Sequence, residues 1–487
     1  MPRFQNMQLR GLMKHRNLMS KVKIRYLHTI LIISLLAVSR LASFAESGTI
    51  SKPNIIIILA DDLGYADVGF HGSDIKTPNI DRIATEGVVL ERYYACPMCS
   101  PTRAGLMTGR YPIRFGLMRA VVPPMRRYGM PPEEVTIAEM LGESGYKYRG
   151  ITGKWHLGHQ EKKWTPANQG FTFFEGCFNG AVDYFTQERN GERDWQELTK
   201  PSEKKGYTTD LIGDAAIEFI QSVPKDEPFF LYVPFTAPHS PFQAKDKDLQ
   251  KYPNREGDKK VYAAMIDCMD QNIGRILASI EERGQLDNTF ILFCSDNGGV
   301  KKVADNSPHR GSKLTVYEGG INVVAAARWP AGNISGGKIN KERVGYIDVF
   351  PTIAGIAGCN QLPADLDGID MMKALQGEKL PDRAWFTYLD QGREKVEQFA
   401  LNTDEWKLIW RRNAPDNSTA QEQTELYRIG EDSAEVVNVN TEQEAVVEKL
   451  KTEIEGYYSL KSENQIPRYD QKGRRPGRLL RNWFPEN

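Results

Sequence analysis

From residue 54 onward the chain alternates unbroken apolar runs with amphipathic stretches. Asn54–Leu59 (NIIIIL) has the pattern of a strand buried on both faces. Thr77–Glu86 predicts a helix with Thr77 at its cap and Pro78 in first position, and Pro101–Thr108 predicts another capped by Ser100. Thr136–Ser144 reads as a helix and Tyr146–Ile151 as the next strand. Leu211, Ala215 and Phe219 keep helical spacing across Thr209–Ser222, followed by a strand at Phe229–Val233. Met265, Met269, Ile273, Ile276 and Ile280 line one face of a long helix over Tyr262–Arg283, closed by Gly284. Thr289–Cys294 and Ile321–Ala327 predict two further strands. Strand–helix alternation of this kind predicts an α/β fold: a large mixed, mostly parallel sheet sandwiched by helices.

After Asp382 the pattern changes to short alternating runs at Ala384–Leu389, Gln398–Leu401, Trp406–Trp410 and Leu426–Arg428. These predict a smaller antiparallel sheet with Gln443–Tyr458 as a helix packed on it, ahead of a basic, solvated tail. The expected division is a leader at 1–45, a catalytic domain at 46–381 and a C-terminal α+β subdomain at 382–487.

The leader is read from its own pattern. Basic residues from Arg10 to Arg25 precede an apolar run from Leu27 to Val38, and Ser43-Phe44-Ala45 offers small residues for cleavage. That run is 12 residues long, against roughly 20 for a bilayer span. The expectation is therefore an exported protein, periplasmic or secreted, with no stable membrane anchor. Met13 and Met19 are alternative starts within the basic stretch.

Composition excludes more than it proposes. Lys+Arg and Asp+Glu both total 63 in 487 residues, so nothing in the net charge favours nucleic acid. An anionic substrate must instead be met by a local cluster of cations. Six scattered cysteines do not form a disulfide framework, and Cys96-x-x-Cys99 lacks the second pair or nearby histidine of a zinc site.

The chemistry gathers just past the C-terminal ends of the predicted strands, the edge where open α/β sheets bind ligands. NIIIIL runs into Asp61-Asp62, and TFILFC into Ser295-Asp296-Asn297-Gly298-Gly299. The strand at 146–151 runs into Gly153-Lys154-Trp155-His156, and FFLYV into Thr236-Ala237-Pro238-His239. Asp61, Asp62, Asp296 and Asn297 supply only hard oxygen donors, which suit calcium or magnesium; a crowded, irregular cage favours calcium. Caps and Asx turns are the ordinary alternative for such residues. Cys99 precedes Ser100-Pro101 at a predicted helix N-terminus, where backbone N–H groups favour an anion or a thiolate.

Cys99-Ser100-Pro101-Thr102-Arg103, followed by Thr108-Gly109-Arg110, resembles the signature of the formylglycine-dependent sulfatases of the alkaline phosphatase superfamily. ADDLGY (60–65), TPNIDRIATEG (77–87), GKWHLG, TAPHSPF, SDNGG and RGSK with EGGI (310–321) match the same family in order. The chain departs from it at Asn322 and Val324, where relatives commonly carry Arg and Pro. The resemblance implies that Cys99 is oxidised to formylglycine (3-oxoalanine) by a formylglycine-generating or anaerobic sulfatase-maturing enzyme. It implies one Ca2+ on Asp61, Asp62, Asp296, Asn297 and the modified Cys99, with Asp296 as the base toward the attacking hydroxyl. Arg103 would hold the aldehyde hydrate, Lys154, His239 and Lys313 would surround the sulfate, and His156 would take the second hydroxyl's proton. His239 and Lys313 remain alternative acids for the leaving oxygen.

Gly180–Phe185 together with TAPHSPF resembles the arylsulfatase B-like branch, which implies a sulfated carbohydrate substrate such as an algal galactan, ulvan or a glycosaminoglycan. Asp183 and His159 are candidate sugar contacts, and His309 and Arg310 lie close enough in sequence to join them. Two other readings remain: a phosphate or phosphonate ester hydrolase of the same superfamily, and an unactivated polysaccharide-binding protein.

Overall fold

The computed structural model describes residues 52–466 except 125, 199, 391–395 and 414–421. The leader and nearly all of the basic tail lie outside the described residues. Among the described residues, no helix is long and apolar enough to cross a membrane.

The principal elements in chain order begin with β1 (Asn54–Ala60), α1 (Pro78–Glu86), β2 (Val88–Leu90), α2 (Cys99–Thr108), α3 (Ile137–Glu143), β3 (Tyr148–Lys154) and β4 (Phe173–Cys177). Short strands β5 (Gln196–Glu197) and β6 (Lys200–Pro201) precede α4 (Thr208–Ser222), β7 (Phe229–Pro234), α5 (Gly257–Glu282) and β8 (Thr289–Ser295). The sheet is completed by β9 (Ala325–Arg328) and β10 (Lys338–Asn340), with α6 (Glu318–Ile321) before them and α7 (Val349–Ala357) after. Ten strands line up as β10-β2-β9-β8-β1-β7-β3-β4-β5-β6. The middle five, β8-β1-β7-β3-β4, are parallel, and β9 and β5 turn antiparallel at either side.

β1 shows why its run is apolar throughout. Ile55, Ile57 and Leu59 pack with α2, α3 and α7 on one face, while Ile56 and Ile58 pack with α1, α4 and α5 on the other. A two-residue period sends successive side chains to opposite faces, so a strand covered on both sides admits a polar residue only where it is hydrogen-bonded, as Asn54 is to Thr289 (3.3 Å).

Three local expectations are corrected. α2 begins at Cys99 with extended Met98 at its cap, so Ser100 lies inside the first turn. Its hydroxyl donates to the His156 carbonyl (2.9 Å) and accepts from the Val122 N–H (3.1 Å) instead of capping. The strand expected at 146–151 runs later, to Lys154, which puts that lysine on the sheet edge itself. The run expected over 321–327 breaks in two. Asn322–Val323 pairs with Tyr93–Tyr94 in a separate small sheet, and only Ala325–Arg328 joins the large one.

The second sheet has four antiparallel strands in sequence order: β11 (Trp385–Leu389), β12 (Val396–Asn402), β13 (Lys407–Asn413) and β14 (Gln423–Tyr427). Helix α8 (Glu444–Tyr458) packs on it, and Trp385, Phe386, Leu401 and Leu408 join the core cluster that holds Tyr346 and Phe350.

One buried acid links helices on the far face. Asp270 on α5 accepts from the N–H groups of Asn79 (3.0 Å) and Ile80 (2.8 Å), and so caps α1 across the fold. Burial pushes its carboxyl up to about 7, against the pull of these bonds. A raised acid holds its proton longer in the folded chain. The stability it contributes is thus complete below about pH 4 and is lost as pH rises through about 7. Asp270→Asn is expected to flatten that decline in urea unfolding followed across pH. Asp270→Ala strands the donors and is expected to cost about 1–3 kcal/mol.

Candidate functional site

Four parallel strands deliver their polar residues to one edge. β1 ends in Asp61-Asp62, and β8, paired beside it, ends in Asp296-Asn297, with Ala60 opposite Ser295. The Asp296 N–H donates to the Ala60 carbonyl (3.0 Å) and the Asp61 N–H to the Ala237 carbonyl (3.0 Å), which fixes the three loops against each other. Consecutive residues of a strand point to opposite faces. Asp62 escapes this because it adopts a left-handed conformation (φ 69°), so both carboxylates reach the same pocket. His156 is also left-handed (φ 58°). Asp and His are among the few side-chain-bearing residues that tolerate this region, and such strain gathers at functional sites. Gly180 makes room for the His156 ring: a Cβ there would meet imidazole Cε1 at 2.4 Å.

The structure brings together the ten residues named for the metal, the nucleophile and the sulfate: Asp61, Asp62, Cys99, Arg103, Lys154, His156, His239, Asp296, Asn297 and Lys313. Asp61, Cys99 and Asp296 offer donor atoms within 4.8 Å of one another, as do Asp61, Asp62 and His239. Cys99 sits at the first position of α2, 3% exposed, with Sγ 3.3 Å from His156 Nδ1. Arg103, one turn on, is wholly buried; its guanidinium donates twice to Asp296 Oδ2 (2.7 and 3.0 Å) and once to the Lys154 carbonyl (3.1 Å). Lys154 Nζ lies 2.6 Å from Asp61 Oδ2, and Lys313 Nζ lies 2.5 Å from Asp62 Oδ1. His239 Nε2 is 3.6 Å from Asp62 Oδ2, and Asn297 Nδ2 donates to Asp62 Oδ1 (2.8 Å).

The carboxylates of Asp61, Asp62 and Asp296 thus face the cations of Arg103, Lys154 and Lys313. Burial, reinforced by the Asp296 and Asp62 charges, pushes the Asp61 carboxyl up to about 8 against the pull of Lys154 and Arg103. Burial works the same way on Asp62, yet Lys313 and His239 hold it well below the usual carboxylate range. Burial and the nearby Lys154 and Arg103 charges keep His156 well below the ordinary histidine value. His239 is lowered to about 3 by burial and the nearby lysines, although Asp62 pulls the other way.

The donors fit a hard cation. Asp61 Oδ1 and Asn297 Oδ1 are buried acceptors with no hydrogen-bond partner, and buried acceptors are rarely left so. Together with Asp62 and Asp296 they form an oxygen-rich set suited to Ca2+.

The peripheral candidates are resolved differently. Asp183 accepts from the Phe185 and Thr186 N–H groups (2.9 and 2.8 Å) and from Gln243 Nε2 (2.6 Å), so its carboxylate shapes its own loop. His159 is buried, with its ring stacked on Phe178. His309 packs edge-on to Tyr65. Arg310 donates to the Tyr427 hydroxyl and the Glu435 carbonyl (both 2.9 Å), tying its loop to the second sheet. Two participants escaped the sequence reading: Ser100, which holds the His156 carbonyl, and Tyr262, whose hydroxyl bridges the Asp62 carbonyl, the Gly64 N–H and Asp67. Neither lies at the end of a predicted strand, and both act through tertiary contacts that sequence spacing does not display.

Residues 53–359 match the family described as Sulfatase. The chain belongs to the sulfatase family. Residues 312–459 further match the N-sulphoglucosamine sulphohydrolase C-terminal family, which extends the likeness through the second sheet. This sulfatase is 32% identical to N-acetylgalactosamine-6-sulfatase of Homo sapiens over 70% of its own length and 69% of that protein's. It is 35% identical to arylsulfatase J of Mus musculus over 68% of its own length, and spans 57% of that relative. The structure of Ps i-CgsB in complex with k-i-k-neocarrahexaose superposes with a TM-score of 0.79 at 32% identity, covering 87% of this sulfatase and 96% of that chain. The fold class expected from the sequence, a mixed, mostly parallel sheet with a small antiparallel one, is the fold found.

Proposed function

We propose that this sulfatase hydrolyses sulfate esters on a sulfated carbohydrate, using a formylglycine made from Cys99 and one calcium ion. The supporting observation is the coincidence of three things in one pocket: position 99 at a helix N-terminus beside His156, two buried oxygens at Asp61 and Asn297 without a hydrogen-bond partner, and a group of cations. The carbohydrate assignment leans on the relatives, one named for N-acetylgalactosamine 6-sulfate and one bound to k-i-k-neocarrahexaose. Algal galactans, ulvan and glycosaminoglycans are the polymers to try first.

Bound calcium, held by Asp61, Asp62, Asp296 and Asn297, supplies Lewis acidity toward a sulfate oxygen. The hydrated aldehyde at position 99 supplies the oxygen nucleophile for sulfur. Asp296 accepts the proton of the attacking hydroxyl while Arg103 fixes that carboxylate. Lys154, His239 and Lys313 hold the remaining sulfate oxygens in a water-poor site, where such contacts are strong. His239 or Lys313 delivers a proton to the departing alcohol. His156, kept neutral, takes the proton from the second hydroxyl as sulfate leaves and the aldehyde returns. Asp183 is proposed here as a loop-shaping residue, with the sugar contacts elsewhere on the rim.

The test pairs mass spectrometry with turnover. The peptide carrying position 99 is expected to be lighter by about 18 Da than the cysteine form. The purified protein is expected to release sulfate from oligosaccharides and p-nitrophenyl sulfate faster than phosphate from the matching phosphate esters. A faster phosphate reaction would favour the phosphohydrolase reading, and tight sugar binding without release the binding-protein one. The acid is separated by leaving group: its loss is expected to cost about 10²–10⁴-fold with a sugar sulfate and little with p-nitrophenyl sulfate, whose leaving group needs no proton. Comparing His239→Ala and Lys313→Ala on both substrates shows which residue follows that pattern.

A further inference from the structure

A second charged cluster lies outside the pocket, shut off from solvent. Lys407 on β13 is 0% exposed, and its ammonium meets Glu318 Oε1 at 2.7 Å and Glu435 Oε1 at 2.8 Å. Glu435 Oε2 in turn accepts from the Glu318 backbone N–H (2.8 Å). Asn402 Nδ2 (2.7 Å) and the Tyr94 hydroxyl (3.0 Å) complete the surroundings of Glu318. Buried charges rarely justify themselves by stability, because apolar residues of similar volume usually serve a core at least as well. A use for this geometry is therefore to be sought in what it holds.

Glu318 opens α6, and the turn before it carries Lys313. That turn is pinned to the pocket side by Lys313 N–H to the Gly299 carbonyl (3.1 Å) and Leu314 N–H to the Pro97 carbonyl (3.0 Å). Leu314 is left-handed (φ 66°), an uncommon state for a bulky residue, and it directly follows the lysine that meets Asp62. Strained backbone persists only where its surroundings over-determine it. The Gly319 N–H donates to the Arg310 carbonyl (2.7 Å), closing the turn, and Glu318 then anchors it from behind through Lys407.

We infer that Lys407 is a positioning residue: from the second sheet it clamps Glu318, and with it the 310–320 turn, so that the Lys313 ammonium is presented at Asp62. The inference rests on the proposed sulfatase activity. It gives the C-terminal sheet a part in the reaction from behind the pocket, through Glu318.

A double-mutant cycle tests it, with matured protein, a sulfated oligosaccharide as probe, and folding monitored by thermal unfolding. Lys407→Met is expected to lower kcat/KM about tenfold in the parental background but less than about twofold when Lys313 is already alanine, since coupled sites are non-additive. If Lys407→Met folds poorly, K407M/E435Q carries the same cycle with one buried carboxylate fewer. An equal loss in both backgrounds, or no loss in a folded Lys407→Met protein, overturns the inference. A matured parental protein that releases no sulfate at all removes the activity reading itself, and is recognised before the cycle begins.

Discussion

Cys99→Ala is expected to lower kcat/KM toward sulfate esters by at least about 10⁴-fold, the scale on which removal of a nucleophile is felt. The Cys99 thiol meets His156 Nδ1 at 3.3 Å, while the Lys154–Asp61 and Lys313–Asp62 pairs are made without it, so its loss leaves those pairs in place. A thermal midpoint near the parental one would then assign the loss to chemistry. Cys99→Ser sharpens the point. Serine has one hydroxyl where a hydrated aldehyde has two, so it can accept a sulfuryl group but has no second hydroxyl with which to expel it. The expected result is at most one turnover and a sulfated serine visible by mass. Sustained turnover by either variant would exclude a formylglycine mechanism.

Arg103→Met is expected to be the most damaging substitution for stability in the site. Its guanidinium is fully enclosed and bonded to Asp296 and the Lys154 carbonyl, with Asp61 Oδ1 3.8 Å away. Removing one partner of a buried pair leaves an uncompensated charge and costs about 3–5 kcal/mol. A cation bound to the same carboxylates offsets part of that charge. The loss measured by urea unfolding should therefore be larger in chelator-treated protein than with calcium present. An identical loss in both conditions would argue against a metal on Asp61 and Asp296. Arg103→Lys is expected to fall between, because an ammonium does not reproduce the forked geometry.

Much of the site was legible because β1, β7 and β8 announce themselves as short apolar runs, and their polar sequels must share an edge once the strands are parallel. The local errors share one physical source. Ser100 looked like a cap because Ser before Pro favours one, but tertiary partners at His156 and Val122 claimed its hydroxyl. The run at 321–327 looked like one strand because periodicity does not record which sheet a residue joins, and the chain changes sheets at Val324. The Glu318–Lys407–Glu435 cluster was invisible for the same reason: Glu318 and Lys407 are 89 residues apart, and either alone reads as a solvated surface charge.

Every residue of α2, from Cys99 to Thr108, is buried. If an enzyme is to oxidise this thiol, it has to find the segment while the chain is still open, since the finished fold offers no approach for a second active site. Timing then becomes part of the chemistry. A chain that closes early is trapped as an inert twin of the working protein, with the same mass to within a few atoms and the same shape. Preparations would be mixtures whose specific activity reports how the race between installation and closure ended, and adding the oxidising enzyme afterwards would recover little unless the fold were first undone.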